Sequence, residues 1–227
     1  MSYRPKLILF FLSALAVWFI FNTGYSALST LSRLDAVEAE RDQWQRPSDV
    51  IAALNLNPGG VVVDLGCGSG YFSVRLAQTI VNGKVIAEDI RTLPLVFLWL
   101  RTVLKGEHNM EIVRGTPDDP RLPLSSVNAV LIANTYHEFS DSHPILLHVI
   151  QSLLPGGRLV VVDRAPSGSA KDAGGPRLQD HEISSEQVQK ELELAGFDLV
   201  SRQDRFIEND PQNERWWLIV ARKPLSR

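Results

Sequence analysis

The chain has 227 residues, 44% of them hydrophobic and 22% charged, which suits one sizeable core rather than two. A net charge of −3 excludes the global basic field of a nucleic-acid binder. The single cysteine, Cys67, excludes an intrachain disulfide and reads more readily as a small apolar filler than as a reactive thiol.

Residues 7–21, "LILFFLSALAVWFIF", are apolar apart from Ser13 and follow Arg4 and Lys6. Their length lies between a signal-peptide core and a membrane span of about 20 residues. Residues 1–28 are read as a retained membrane anchor, with a signal cleaved near Ser26 or Ala27 and a soluble hydrophobic helix as open alternatives. The leading basic residues give a mild bias towards an inside N-terminus and an outside domain, with the side of the domain left open by Arg33 and Arg41 beyond the run. Residues 29–46 are polar, mixed in charge and read as a helical linker ending near Pro47. The rest, 47–227, is one domain.

That domain opens with a short helix, "SDVIAALNL", with Ser48 as its N-cap, broken by "NPGG". "VVVDL" (61–65) is the kind of apolar run found in strands buried on both faces. A glycine loop, a helix ("YFSVRLAQTIV") and a second strand ("KVIAEDI") follow. The next helix, "RTLPLVFLWLRTVLKG", stops at Gly106 and is apolar on every face over 93–100. With Arg91, Arg101 and Lys105 around it, that stretch is a candidate membrane-facing patch, against deep packing as the plainer reading. "MEIVRG" and "VNAVLIAN" (127–134) are the third and fourth strands. A helix over "DSHPILLHVIQSLLPGG" leads to the fifth strand, "RLVVVDR" (158–164). A loop, a helix capped by Ser184 or Ser185, and two strands joined as an antiparallel hairpin complete the chain. This alternation predicts an α/β fold, a Rossmann-like, doubly wound, mostly parallel sheet with helices on both faces and an antiparallel close.

Ligands of such sheets sit at the carboxyl ends of the strands, where strand order reverses. The first turn there is Gly66, Cys67, Gly68, Ser69, Gly70, preceded by Asp64, and glycine lets the backbone approach a ligand. Glu88 and Asp89 end the next strand, where a carboxylate can accept ribose hydroxyls. A dinucleotide site needs G-x-G-x-x-G, whereas this loop runs G-x-G-x-G. Asp64 is better placed for a cationic ligand than for a phosphate. A dehydrogenase is therefore the weaker reading.

At this point the chain resembles the class I S-adenosylmethionine-dependent methyltransferases. "VVVDLGCGSGYF", "GKVIAEDI", "PDDPRLP" with "SSVNAVLIAN", "LLPGGRLVVVD" and "AGFDLV" are similar to that family's successive motifs, over roughly 47–222. The resemblance implies a seven-stranded sheet with a reversed seventh strand and S-adenosyl-L-methionine as cofactor. It implies Gly66, Cys67, Gly68 and Gly70 around the methionine and ribose, with Asp64 beneath. It gives Asp89 the ribose hydroxyls, with Glu88 as the fallback, and either Asp118 or Asp119 the adenine. It sets Asn134 beside the methionine moiety.

Methyl transfer mainly needs alignment and exclusion of water, with a base only where the acceptor loses a proton. "NTYHEF" supplies candidates: His137 as base, with Glu138 and Tyr136 bordering the acceptor. His181 in the later loop is a candidate substrate contact. No ligand spacing supports a metal. No aromatic-basic stripe supports nucleic acid, so a small-molecule or lipid-like acceptor is expected. A cofactor-binding, non-catalytic, membrane-tethered regulator is the alternative from another class.

Overall fold

A computed structural model describes residues 4–166, 182–208 and 210–225. The chain forms two compact units, Met1–Gln43 and Trp44–Arg227. Almost all of the first is one helix, α1 (Arg4–Trp44), so the expected anchor and linker are a continuous helix. Among the described residues no helix is long and apolar enough to cross a membrane, and the expected anchor at 7–21 is not supported. Fifteen helical residues cover about 22 Å, short of a hydrocarbon core of about 30 Å. Asn22, whose amide donates to the Trp18 carbonyl at 3.1 Å, follows the run directly. Of that segment the described side chains are Ser13, Leu15, Val17, Trp18 and Phe19, all exposed.

The second unit begins with α2 (Pro47–Ala53). Its N-cap is Arg46 in a left-handed conformation, rather than the expected Ser48, because Pro47 supplies the first helical φ. Then come β1 (Val61–Leu65), α3 (Tyr71–Thr79), β2 (Lys84–Asp89), α4 (Thr92–Lys105), β3 (Met110–Arg114) and β4 (Val127–Ala133). A 3-10 turn (Tyr136–Glu138), α5 (Ser142–Ser152), β5 (Leu153–Arg164), α6 (Ser185–Leu194), β6 (Asp198–Ile207) and β7 (Trp216–Arg222) follow. Ser184 is the cap of α6, its hydroxyl accepting from the Gln187 amide at 3.2 Å.

The sheet has seven strands in the order β3-β2-β1-β4-β5-β7-β6. β7 runs antiparallel to both of its neighbours, and the other strand pairs are parallel. This is the expected Rossmann-like sheet with a reversed seventh strand. Side chains alternate along each strand, so two cores form. Val63, Leu65, Val130, Ile132 and Val161 pack with α5 and α6 on one face. Val62, Ala129, Leu131, Val160 and Val162 pack with α2 and α3 on the other. Helices therefore cover both faces.

Two boundaries differ from expectation. β5 begins at Leu153, five residues earlier than 158, and its first residue pairs with Val127 across a bulge in the register. Leu154 precedes Pro155, and a residue before proline is pushed out of the helical region, so α5 cannot continue. β4 ends at Ala133, because Asn134 is left-handed (φ 54°) while its amide donates to the Val162 carbonyl at 2.8 Å.

Candidate active site

Register brings the strand ends to one edge. Leu65 pairs with Glu88 on one side and Ile132 on the other, and Asp89 pairs with Arg114. Strand order reverses between β1 and β4, and the crevice there is a pocket with about 690 Å³ of open space. Its walls are Leu65 and Gly66 of β1 and its loop, Glu88 and Asp89 at the end of β2 with Ile90 and Arg91 after it, Thr116, Pro117 and Pro120 after β3, and Thr135, 138–140 and Ile145 after β4.

The glycine loop is held from several sides. The Cys67 amide donates to the Glu88 carbonyl at 2.8 Å and the Gly68 amide to Asp89 Oδ2 at 2.9 Å. Gly66 (φ 74°) leaves room for Thr135, whose side chain a Cβ would strike, and Thr135 Oγ1 donates to the Gly66 carbonyl at 3.2 Å. Gly70 (φ 89°) caps α3, and a Cβ there would strike Leu98 of α4. It does not line the pocket, where a ligand contact was expected. At Gly68 (φ 56°) a Cβ would meet nothing within 4 Å.

Asp64 lies inside the sheet, 2% exposed, accepting from Ser73 Oγ at 2.5 Å. It supports the loop from beneath and does not line the pocket. The Cys67 thiol is pushed far above its usual pKa by burial and by Asp64, Asp89 and Glu88, so it stays neutral.

Asp89 and Glu88 both line the pocket. Asp89 accepts from the Arg91 amide at 2.8 Å, and the Arg91 guanidinium lies 3.2 Å from it. Glu88 is 3% exposed, and its Oε1 is buried without a hydrogen-bond partner. Burial raises its pKa to about 7, against the lowering pull of the Gly66 and Gly115 backbone, with Asp89 and Asp64 adding to the rise. Asp118 is exposed and Asp119 accepts from the Arg121 amide at 2.7 Å, and neither lines the pocket. Thr116, Pro117 and Pro120 stand where an adenine acid was expected.

In the 3-10 turn after β4, three consecutive side chains point three ways. Tyr136 is 1% exposed, and its hydroxyl donates to Glu191 Oε2 of α6 at 2.7 Å, away from the pocket. His137 points under the turn, with Nδ1 2.8 Å from Asp163 Oδ1 and its side chain 3% exposed. Its amide donates to Asp163 Oδ2 at 3.1 Å. Neither Tyr136 nor His137, both expected beside the acceptor, lines the pocket. Glu138 lines the pocket, its side chain 47% exposed, 3.9 Å from His137 Nε2. Asn134 has a buried Oδ1 with no partner and does not line the pocket. His181 lies outside the described residues. Among the described residues no group of three or more His, Cys, Asp or Glu could hold a metal ion.

Sequence reasoning missed Arg91, Thr116, Thr135, Phe139 and Ser140 in the lining. Arg91 and Thr116 directly follow expected strand ends, a signal that was legible. Thr135 becomes visible only once Gly66 is known to face it.

Residues 62–157 match the methyltransferase domain family. The demethylmenaquinone methyltransferase of Geobacillus stearothermophilus is 24% identical over 132 residues, covering 58% of this chain and 56% of that one. The ubiquinone/menaquinone biosynthesis C-methyltransferase UbiE of Pseudoalteromonas translucida is 24% identical over 181 residues, covering 76% and 62%. The chain thus spans about 56–62% of the length of these relatives. Among solved structures, a SAM-dependent methyltransferase from Aquifex aeolicus shares the fold with a TM-score of 0.69 at 22% identity, covering 85% of this chain and 97% of that one. The [4+2]-cyclase SpnF shares it with a TM-score of 0.68 at 17% identity, covering 80% and 81%. The family match thus covers residues 62–157, and the fold is the Rossmann-like one that these methyltransferase structures share.

Proposed function

We propose that the protein is an S-adenosylmethionine-dependent methyltransferase whose acceptor is a small molecule of the quinone class. The observation that carries this is the pocket at the strand-order reversal, with two carboxylates, Glu88 and Asp89, on one wall and Glu138 on another. Such a pocket suits a cationic nucleoside, and the unpartnered Glu88 Oε1 is a buried acceptor that its hydroxyl or amino groups would satisfy. When bound, S-adenosylmethionine supplies an activated sulfonium methyl.

Asp89 and Glu88 hold the ribose end, and Gly66, at the head of the glycine loop, forms part of the floor. Leu65, Ile90, Phe139 and Ile145 present apolar surface that excludes water and suits a flat ring. Glu138 is the pocket carboxylate beside the 3-10 turn and takes the proton that a hydroxylated acceptor ring loses. His137, clamped by Asp163, fixes that turn. Quinone chemistry comes from the names of the two bacterial relatives, not from the pocket itself.

The test has two parts. Calorimetry compares S-adenosylmethionine with NAD(H), and tight binding of the dinucleotide alone ends the proposal. Labelled-methyl transfer is then followed with reduced demethylated naphthoquinones, with wild type and Glu138→Gln. The variant is expected to lose roughly 100-fold in kcat while keeping its cofactor Kd. Wild-type turnover in the variant removes Glu138 from the chemistry. Cofactor binding without transfer to any quinone points to a different acceptor class or to a regulator.

A further inference from the structure

Among the described residues α4 has one buried face and one exposed face. Inward, Leu95 and Leu98 are buried, and Arg101, also buried, donates from Nη1 to the Ser69 carbonyl at 2.7 Å. Outward, Leu93, Val96, Trp99 and Val103 are 66%, 51%, 58% and 57% exposed, with Leu104 at 57%. Spacings of three and four residues put these side chains on a single stripe. Ile90, 46% exposed, extends it past the start of the helix. A contiguous apolar face of this kind marks an interaction site rather than ordinary solvent-facing surface.

Charge says what covers it. Residues 92–106 contain no aspartate or glutamate, although the chain as a whole is at −3. Arg91 stands at one end, its side chain 58% exposed, and Lys105 at the other. Arg114, whose Nε donates to the Ile90 carbonyl at 3.3 Å, adds a third cation beside the first. An apolar stripe that includes a tryptophan and ends in basic residues has the composition of an element lying in a headgroup layer. A second copy would bring the cationic ends of two such helices together. The stripe is also continuous with the pocket, since Ile90 and Arg91 line both.

We propose that the outer face of α4 docks on a lipid bilayer carrying anionic headgroups, which seats the pocket mouth at the membrane surface. This is contact with the interface, not a span. It does not depend on methyl transfer, so its test reads no activity.

The full chain is mixed with vesicles of brominated-acyl phosphatidylcholine, with and without phosphatidylglycerol. Trp99 fluorescence is taken as the difference between wild type and Trp99→Phe, since other tryptophans, including the exposed Trp18, also emit. Quenching of the Trp99 component in the anionic vesicles is expected. Leu93→Glu with Trp99→Glu should lower partitioning roughly ten-fold. These positions face solvent, so the melting curve and S-adenosylmethionine binding should not change. An unquenched Trp99 on vesicles that capture the chain overturns the proposal and leaves α1 as the contact. Equal partitioning into both vesicle types overturns the charge argument and with it the anionic partner. A dimer in sedimentation that Trp99→Glu splits assigns the face to a second copy instead.

Discussion

Replacing Glu88 with glutamine should stabilise the protein, and only at neutral and alkaline pH. Burial raises this carboxyl from 4.5 to about 7. The unfolded chain releases the proton near its ordinary value, while the folded chain keeps it to about pH 7. Between those points the folded state binds more protons, so stability falls as pH rises. The loss is complete above about pH 7 and amounts to about 3 kcal/mol, at 1.36 kcal/mol per unit. Glu88→Gln keeps the shape and an acceptor oxygen without the charge. At pH 8 it should be more stable by about 3 kcal/mol, raising Tm by roughly 6–12 °C for a domain of this size. At pH 4.5 wild type and variant should melt together. Urea unfolding of both proteins at pH 4.5 and 8 measures the difference. An equal gain at both values would show that Glu88 ionises freely in the fold and would refute the reasoning.

Tyr136→Phe should cost about 1 kcal/mol, since Glu191 also accepts from Ser142 at 2.6 Å, and leave kcat unchanged; a large fall in kcat would return Tyr136 to the acceptor. Asp163→Asn should destabilise by about 2–4 kcal/mol in urea titrations, because this fully buried carboxylate accepts from the His137 and Arg164 amides and meets the His137 ring. Unlike Tyr136→Phe, it should also lower kcat by releasing the turn that carries Glu138. Cys67 should resist iodoacetamide at pH 8.5 in the folded chain and react on unfolding, as a thiol held neutral by burial and nearby carboxylates must.

The fold was legible because its signals are local. "VVVDL" is a buried strand wherever it lies, and Gly106 in its left-handed conformation (φ 68°) ends α4 where the sequence places the stop. The start of the fifth strand differs because a Pro-Gly-Gly run looks like punctuation, whereas Leu153 before it already pairs with Val127 of β4, and Gly156 and Gly157 exchange hydrogen bonds with Lys223. The pocket wall after β2 was legible for the same reason as the strand. The direction of side chains in "TYHEF" was not. A 3-10 turn rotates each residue by about a third of a revolution, and which one faces the ligand depends on Asp163 and Glu191, 26 and 55 residues away. The place of Asp119, outside the pocket lining, follows from the same limit. Asp119 is drawn off by the Arg121 backbone, a partner that no motif announces.

Leu98 occupies the space that Gly70 leaves by lacking a Cβ, and Arg101 holds the Ser69 carbonyl. The helix that carries the exposed stripe is therefore also the outer brace of the glycine loop. Both contacts fall within two residues of Gly68. A surface that gripped α4 would stiffen the donor floor as well as position the mouth, so attachment and cofactor affinity would be a single mechanical variable rather than two.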